Sequence, residues 1–406
     1  MLKILHINCS STGSTGKIIA DIAEHTSSFG YEHLLCTPGV AGSSNFVRYI
    51  RTSLPYEQGI YRRLNYVYGF QYGLAPLSTA KIKNWIKKEK PDLIHLHCIN
   101  GFMVNAYSLL TYIKKLQIPT VITNHAEFFY TGSCPHAYDC EKWRTGCGEC
   151  PQRYLATGGK LIDTSAKAWE RMRKSFFELK KAVMVSVSPW VSGRAQQSPI
   201  TSGLMHEVVL NGANTSVFAY RDAAALREKY GFLQTQKILF HPTANFSDAE
   251  EDRKGGRFVI EVAKRLRDEG VKVLVAGKYA PNMNLPDNVV LLGQISDQRV
   301  LAEYYALADV TLVVGKRETF NMPVAESLCC GTPVVGFLAG GPESIAIEQF
   351  SAFSPFGDVD SLVCDVKAFF EKIYEKSEIA KQGKEKYSAA VMATAYMNIY
   401  NKLLKE

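Results

Sequence analysis

The sequence lacks any stretch able to cross a bilayer, any repeat and any low-complexity tract, and each absence removes a class of protein. The charge-free segment 93–113 is broken by His95, His97, Asn100, Gly101 and Asn105, too many polar side chains for hydrocarbon. The 30 glycines and 16 prolines in 406 residues are scattered, which excludes collagen-like and linker-like chains. Met1–Ser10 carries one lysine and a short apolar run, and reads as a first strand rather than an export leader. Without a leader, ten cysteines do not read as a disulfide scaffold. What is present is a globular balance, 46% hydrophobic and 21% charged residues, over a length that predicts two or three domains.

Charge is uneven along the chain. Residues 1–200 hold 24 Lys and Arg against 13 Asp and Glu, whereas the remainder holds 23 against 26. A basic first half points to an anionic partner, a membrane surface or nucleic acid, or to a solvated basic face with no partner. No nucleic-acid motif accompanies it, and nucleic-acid binding is not expected.

Short apolar strands alternate with amphipathic helices. Leu2–Ile7, His33–Cys36, Leu93–Leu96, Thr120–Thr123 and Val183–Val187 read as strands of a first α/β domain. Lys237–Phe240, Lys272–Ala276, Val289–Leu292, Val310–Val314 and Pro333–Gly336 read as strands of a second. Such βαβ series build parallel sheets that bind ligands at the carboxyl ends of their strands. The segment 387–404 carries a helical apolar stripe and predicts a packing helix.

Gly13–Ser14–Thr15–Gly16–Lys17 fails as a phosphate-binding Walker loop, because Ser11 stands where the first glycine belongs and Ile18 where Ser or Thr should follow the lysine. It also lacks the first glycine of the dinucleotide fingerprint. It remains a small-residue strand-to-helix turn, either a plain tight turn or one whose amides approach a phosphate or hydroxyl. His125 follows a strand end, as a cleft-facing or a structural histidine, and His95 and His97 share one face near it. The segment Glu318 to Glu326 follows the strand Val310–Val314. Pro323 suits a helix start, so amides near Asn321 and Met322 would form an anion site flanked by two carboxylates. Asp358–Val359–Asp360 spells a metal-binding D-x-D but reads as a helix-start signal.

The order of motifs adds to these readings. Asn211–Gly212–Ala213–Asn214 running to Phe218 is followed by Asp252–Arg253–Lys254–Gly255. Then come Glu318 to Glu326, Gly331–Thr332–Pro333–Val334–Val335 and Gly340–Gly341–Pro342–Glu343. This series resembles the retaining GT-B glycosyltransferases of the group-1 (family 4) type, polysaccharide-assembly branch. The resemblance implies an α/β GT-B fold: two facing Rossmann-like domains, a deep inter-domain cleft and a C-terminal helix crossing back to the first domain. An acceptor-binding domain at 1–190, with about 388–406 returning to it, and a nucleotide-sugar domain at 191–387 follow from it. It implies a metal-independent, retaining hexosyltransferase with a UDP-sugar donor, GDP-sugar second, and a lipid-linked or glycan acceptor in surface or extracellular polysaccharide synthesis.

Site residues follow from the same resemblance. Glu318, His125 and Lys254 are implied as catalytic. Thr15, Gly16, Arg253, Lys254, Phe320, Asn321, Met322 and Glu326 are implied as donor-binding, with Glu326 on ribose hydroxyls and Lys254, helped by Arg253, on the diphosphate. Two departures stand out. An arginine usual upstream of Lys254–Gly255 is absent, with Asn245 and Phe246 in that region, so phosphate neutralisation is expected to rest more on Arg253 and Lys254; Thr319 and Asn321 stand where glycines are usual, which bears on loop geometry and donor preference. Alternatives on the same fold are a nucleotide-sugar 2-epimerase and a catalytically silent partner subunit.

Cys134, Cys140, Cys147 and Cys150 cluster after His125 with a Cys-x2-Cys pair, either a structural zinc site or reduced packing thiols. No cofactor is expected for transfer itself. The basic, aromatic segment from Tyr61–Arg62–Arg63 to Lys90, with Trp85 in its Lys81–Lys88 run, is expected to touch an anionic membrane surface reversibly. The expected location is cytoplasmic, peripheral at the inner face of the plasma membrane.

Overall fold

The computed structural model describes residues 1–281 and 283–405. The chain divides into two compact units, Met1–Leu210 together with the segment from Met392 onward, and Asn211–Val391. The expected returning segment ended at 406, which lies outside the described residues.

The first unit holds seven strands, β1 (Leu2–Ile7), β2 (Tyr31–Thr37), β3 (Val47–Arg51), β4 (Leu93–Leu96), β5 (Thr120–Asn124), β6 (Ala182–Ser186) and β7 (Met205–Val208). They form one parallel sheet in the order β3-β2-β1-β4-β5-β6-β7. The second unit holds β8 (Ile238–Phe246), β9 (Lys272–Tyr279), β10 (Val289–Gly293), β11 (Val310–Val313), β12 (Val334–Phe337) and β13 (Ser351–Ser354), parallel in the order β10-β9-β8-β11-β12-β13. In both sheets the order reverses at one place, between β1 and β4 and between β8 and β11. Outside the carboxyl ends at such a switch point the flanking loops diverge and leave room for a ligand.

Both faces of the first sheet are covered, which is why its central strands are nearly all buried. Leu5, Ile7, Leu34, Ile94, Leu96, Ile122 and Met184 pack on one face. Ile4, Leu93, Val121, Val183 and Val185 pack on the other, against Ile18 and Ile22 and against Met392, Tyr396, Ile399, Tyr400 and Leu403. The last five lie on the helix Ala389–Lys405 at helical spacing, so the stripe expected at 387–404 is this contact.

Edge strands β3, β7 and β13 escaped the sequence reading because VRYIR, MHEV and SAFS are short and half-exposed. With β7 paired to β6, the first sheet runs past residue 190, so the break between units falls at 210/211. Asp358 accepts the Ser361 amide at 3.0 Å and caps the helix Val359–Glu371, the role expected for it. No helix among the described residues is long and apolar enough to cross a membrane.

Candidate functional site

In the second unit the switch-point loops bring Lys254 and Glu318 together. Lys254 Nζ donates to Glu318 Oε1 at 2.6 Å, with the lysine side chain 46% exposed and the carboxylate 20% exposed. The pair is held from both sides by backbone. Arg253 accepts the Lys316 amide at 2.9 Å, which ties the loop after β8 to the loop after β11. Asp252 accepts the Lys254 amide at 3.1 Å and the Gly256 amide at 3.3 Å, and so starts the helix Gly256–Arg265. Gly255 has φ +76° and a Cβ there would run into the Val314 carbonyl, so glycine is required where the two loops meet. Glu318 donates its amide to Ala339 and accepts from the Gly341 amide, at 3.1 and 2.8 Å. Glu343 in turn accepts the Ala339 and Gly340 amides at 3.0 and 2.7 Å. The Gly340–Gly341–Pro342–Glu343 turn is therefore the clamp that fixes the Glu318 backbone.

Beyond Glu318 the chain turns into the helix Met322–Cys329. Asn321 makes the turn with φ +77°, and Pro323 sits in the first helical turn. The start of this helix presents the Met322 amide and the positive end of the helix dipole, since Pro323 has no N–H and the Val324 amide donates to the Asn321 carbonyl at 3.1 Å. The Asn321 Oδ1 is buried with no hydrogen-bond partner, so this turn holds an acceptor without a donor. Phe320 is buried and anchors the loop. One turn in, Glu326 Oε2 accepts from the Tyr305 hydroxyl at 2.9 Å. Tyr305 is buried and its own ionisation is pushed well up by burial first and the Glu326 charge second, so it stays a donor. The arrangement offers an anion two kinds of positive partner, the Lys254 ammonium and the Met322 end of the helix, with two oriented carboxylates able to accept from hydroxyls.

In the first unit the loop after β1 leads into the helix Gly13–Ser27. Asn8 donates to the Ser10 carbonyl at 2.7 Å and to Thr15 Oγ1 at 2.9 Å, and accepts the Cys98 amide at 3.1 Å. One buried side chain thus joins the ends of β1 and β4 to the start of the helix. A Cβ on Gly16 would lie 2.6 Å from the Ser11 carbonyl carbon, so only glycine lets the turn close this tightly. His125 follows β5, keeps part of its surface exposed, and pairs through Nε2 with His97 Nδ1 at 3.1 Å. Burial of the ring lowers its pKa to about 4, which makes it a neutral imidazole near pH 7.

Residues 211–386 match the family described as glycosyl transferases group 1, and residues 15–190 match glycosyltransferase family 4. The chain belongs to the group-1 glycosyltransferases. It is 28% identical over 149 residues to N-acetyl-alpha-D-glucosaminyl L-malate synthase of Bacillus anthracis, covering 34% of this chain and 37% of that protein. It is 22% identical over 322 residues to the putative colanic acid biosynthesis glycosyl transferase WcaC of Escherichia coli K12, covering 77% of each. Anabaena Alr3699/HepE, solved in complex with UDP, superposes with a TM-score of 0.67 at 15% identity, over 99% of this chain and 100% of that one. Two parallel Rossmann-like sheets and this likeness establish the GT-B fold.

Within this group-1 glycosyltransferase, the residues expected at the site fall into two sets. Arg253, Lys254, Glu318, Phe320, Asn321, Met322 and Glu326 gather at the second unit's switch point, and Thr15, Gly16 and His125 lie at the carboxyl ends of the first unit's strands. The four cysteines share the loop 134–150 as free thiols. Cys134 Sγ donates to the His136 carbonyl at 2.9 Å, and burial raises the ionisation of both Cys134 and Cys147, the latter to about 12. No three of these sulfurs lie within 4.8 Å of one another, so zinc would have to draw them together. Trp85 is half-buried against the core, with Lys88 Nζ 4.4 Å from the centre of its ring.

Sequence reasoning missed Tyr305, which orients Glu326, and Asn8, which ties the first loop. It also missed His6 and His33. Among the described residues, His6, His95 and His97 are the one group of three metal-ligating side chains with ligand atoms within 4.8 Å. Their nitrogens are already committed: His6 Nδ1 to His97 Nε2 at 3.0 Å, and His95 to the Tyr400 and Thr123 hydroxyls at 2.8 Å each. This is a hydrogen-bond network and not a ligand set. The available signal was histidine recurring at inward strand positions that are otherwise apolar.

Proposed function

We propose that this chain is a retaining, hexosyl-transferring glycosyltransferase that uses a nucleotide-sugar donor, a UDP-sugar ahead of a GDP-sugar, and a lipid-linked or glycan acceptor in surface polysaccharide synthesis. One observation carries the reading: Lys254 and Glu318 are locked together beside the start of the helix Met322–Cys329. In this proposal the diphosphate lies on Lys254 and the Met322 amide at the helix start, with Arg253 adding positive charge. Glu326, held by Tyr305, takes the ribose hydroxyls, and Glu318 lies along the donor sugar. The bond from C1 to the phosphate oxygen breaks, an acceptor oxygen bonds to C1 from the same face, and its proton passes to the departing phosphate. Negative charge grows on the diphosphate as that bond stretches, so a fixed cation and the helix start stabilise the transition state more than the ground state. HepE, the neighbour solved with UDP, was also solved with UDP-glucose, which supports a uridine donor. The match to WcaC supports a polysaccharide product.

Calorimetry across UDP-, GDP-, ADP- and CMP-sugars is expected to show UDP-sugars binding tightest. NMR of the product is expected to show the donor's anomeric configuration. Inversion at C1, or no nucleotide sugar bound, would sink the reading.

Within the expected membrane segment from Tyr61 to Lys90, the proposal narrows to the helix Glu57–Tyr68 at its start. Ile60, Leu64, Tyr66, Val67 and Tyr68 are all exposed on it, beside exposed Arg62 and Arg63. An exposed apolar and basic helix suits the interface of an anionic bilayer, which supports the proposed peripheral location at the inner face of the plasma membrane. Co-sedimentation with phosphatidylglycerol vesicles is expected for the wild type. It is expected to weaken several-fold in Ile60→Ser/Leu64→Ser/Val67→Ser, and equal recovery of both proteins would refute the contact.

A further inference from the structure

Behind His125 runs an unbroken line of buried imidazoles. Thr26 Oγ1 meets His33 Nε2 at 2.8 Å, His33 Nδ1 meets His6 Nε2 at 2.9 Å, His6 Nδ1 meets His97 Nε2 at 3.0 Å, and His97 Nδ1 meets His125 Nε2 at 3.1 Å. Successive rings lie edge to edge and within 30° of parallel, with centroids 5.2 to 5.4 Å apart. The sheet builds the line: His6 and His95 are register partners across β1 and β4, and Ile4 and His33 are partners across β1 and β2, all on the face covered by the helices Gly13–Ser27 and Ala389–Lys405.

The direction of every proton in the line is set at its far end. Thr26 Oγ1 lies 2.7 Å from the Ile22 carbonyl oxygen, which can only accept, so the single hydroxyl proton of Thr26 points there. Thr26 must then accept from His33 Nε2–H. Burial holds the pKa of His33 at about 4 and those of His6 and His97 well below the usual value, so each ring is neutral and carries one proton. With its proton on Nε2, His33 accepts at Nδ1 from His6 Nε2–H. By the same rule His6 accepts from His97 Nε2–H, and His97 accepts from His125 Nε2–H. The line ends inside the helix at a carbonyl, so it has no second exit and orients protons instead of conducting them.

We infer that Thr26 fixes the tautomer of His125 through His33, His6 and His97, so that His125 presents Nδ1 as a hydrogen-bond acceptor. The group it takes there is an O–H or N–H donor and not an oxyanion. Read with the proposed transfer, on which this last identification rests, the partner is a substrate hydroxyl and not a phosphate. His125 would touch substrate, whereas Thr26, His33, His6 and His97 are positioning residues.

The test needs no substrate and so fails or succeeds apart from the transferase reading. In the full chain with 15N-labelled histidine, long-range 1H–15N correlation reports which ring nitrogen carries the proton. Assignment comes from single His→Gln variants. His6, His33, His97 and His125 are expected as Nε2–H tautomers. In Thr26→Val the anchor is gone, and the Nδ1 resonance of His125 is expected to shift from the unprotonated towards the protonated position. Thr26→Ser is expected to restore it. A wild-type His125 carrying its proton on Nδ1 overturns the inference even if Thr26→Val does not fold. A folded Thr26→Val with an unmoved His125 overturns it equally.

Discussion

Between pH 7 and pH 5 the first unit is expected to lose a large part of its stability. His6, His33, His95, His97 and His125 are held neutral in the folded state, all of them first by burial. For His6, His95 and His97 the next cause is the charge that neighbouring histidines would carry, which acts in the same direction. In the unfolded chain each has the ordinary value of about 6.5. The unfolded state therefore binds more protons than the folded state between about pH 6.5 and 4, and stability falls as pH falls through that window. At pH 5 His33 and His125, each held at about 4 in the folded state, remove about 2 kcal/mol apiece relative to pH 7, and His6, His95 and His97 act in the same direction. The loss is a large part of the stability of a domain, roughly 5–15 kcal/mol. Denaturant unfolding at the two pH values measures this directly. A midpoint that moves by no more than one histidine's share would show that the line is not buried and neutral as described.

Lys254→Ala is expected to lower turnover by about 10²–10³-fold, the usual cost of removing one preorganised donor aimed at developing charge. The lysine is 46% exposed and its pair with Glu318 lies at the surface, so stability is expected to change by less than about 1 kcal/mol. Separation of the two effects is the informative result: a large fall in kcat with an unchanged unfolding midpoint. Glu318→Ala is expected to behave alike, because the loop it belongs to is held by backbone bonds to Ala339 and Gly341 that survive the substitution. Full turnover in either variant would remove that side chain from the proposed chemistry.

How much of this was readable beforehand differs between the two units. In the second, the chemistry-bearing residues sit in contiguous runs, Asp252–Gly255, Glu318–Glu326 and Gly340–Glu343, and local rules such as Pro near a helix start or Gly at positive φ give each run its shape. What no run discloses is that Ala339 and Gly341 hold the Glu318 backbone or that Tyr305 aims Glu326, since those bonds join separate segments of the chain. In the first unit the reverse holds. His125 was legible as a residue after a strand, but the partners that set its proton come from β1, β2 and the end of β4, brought side by side only by the strand order. The membrane expectation covered Tyr61 to Lys90 because aromatic and basic residues coincide there. Packing set Trp85 partly against the core and left Ile60, Leu64 and Val67 outside.

The amino-acid sequence alone determined the α/β class, the two sheets and the loops that carry charge, because hydrophobic period and turn chemistry act over a few residues. Tertiary structure alone decided which buried polar groups meet. Helix and strand periods place a side chain on a face, but a hydrogen bond of 3 Å between rings 28 or 91 residues apart depends on register, and register is a property of the assembled sheet.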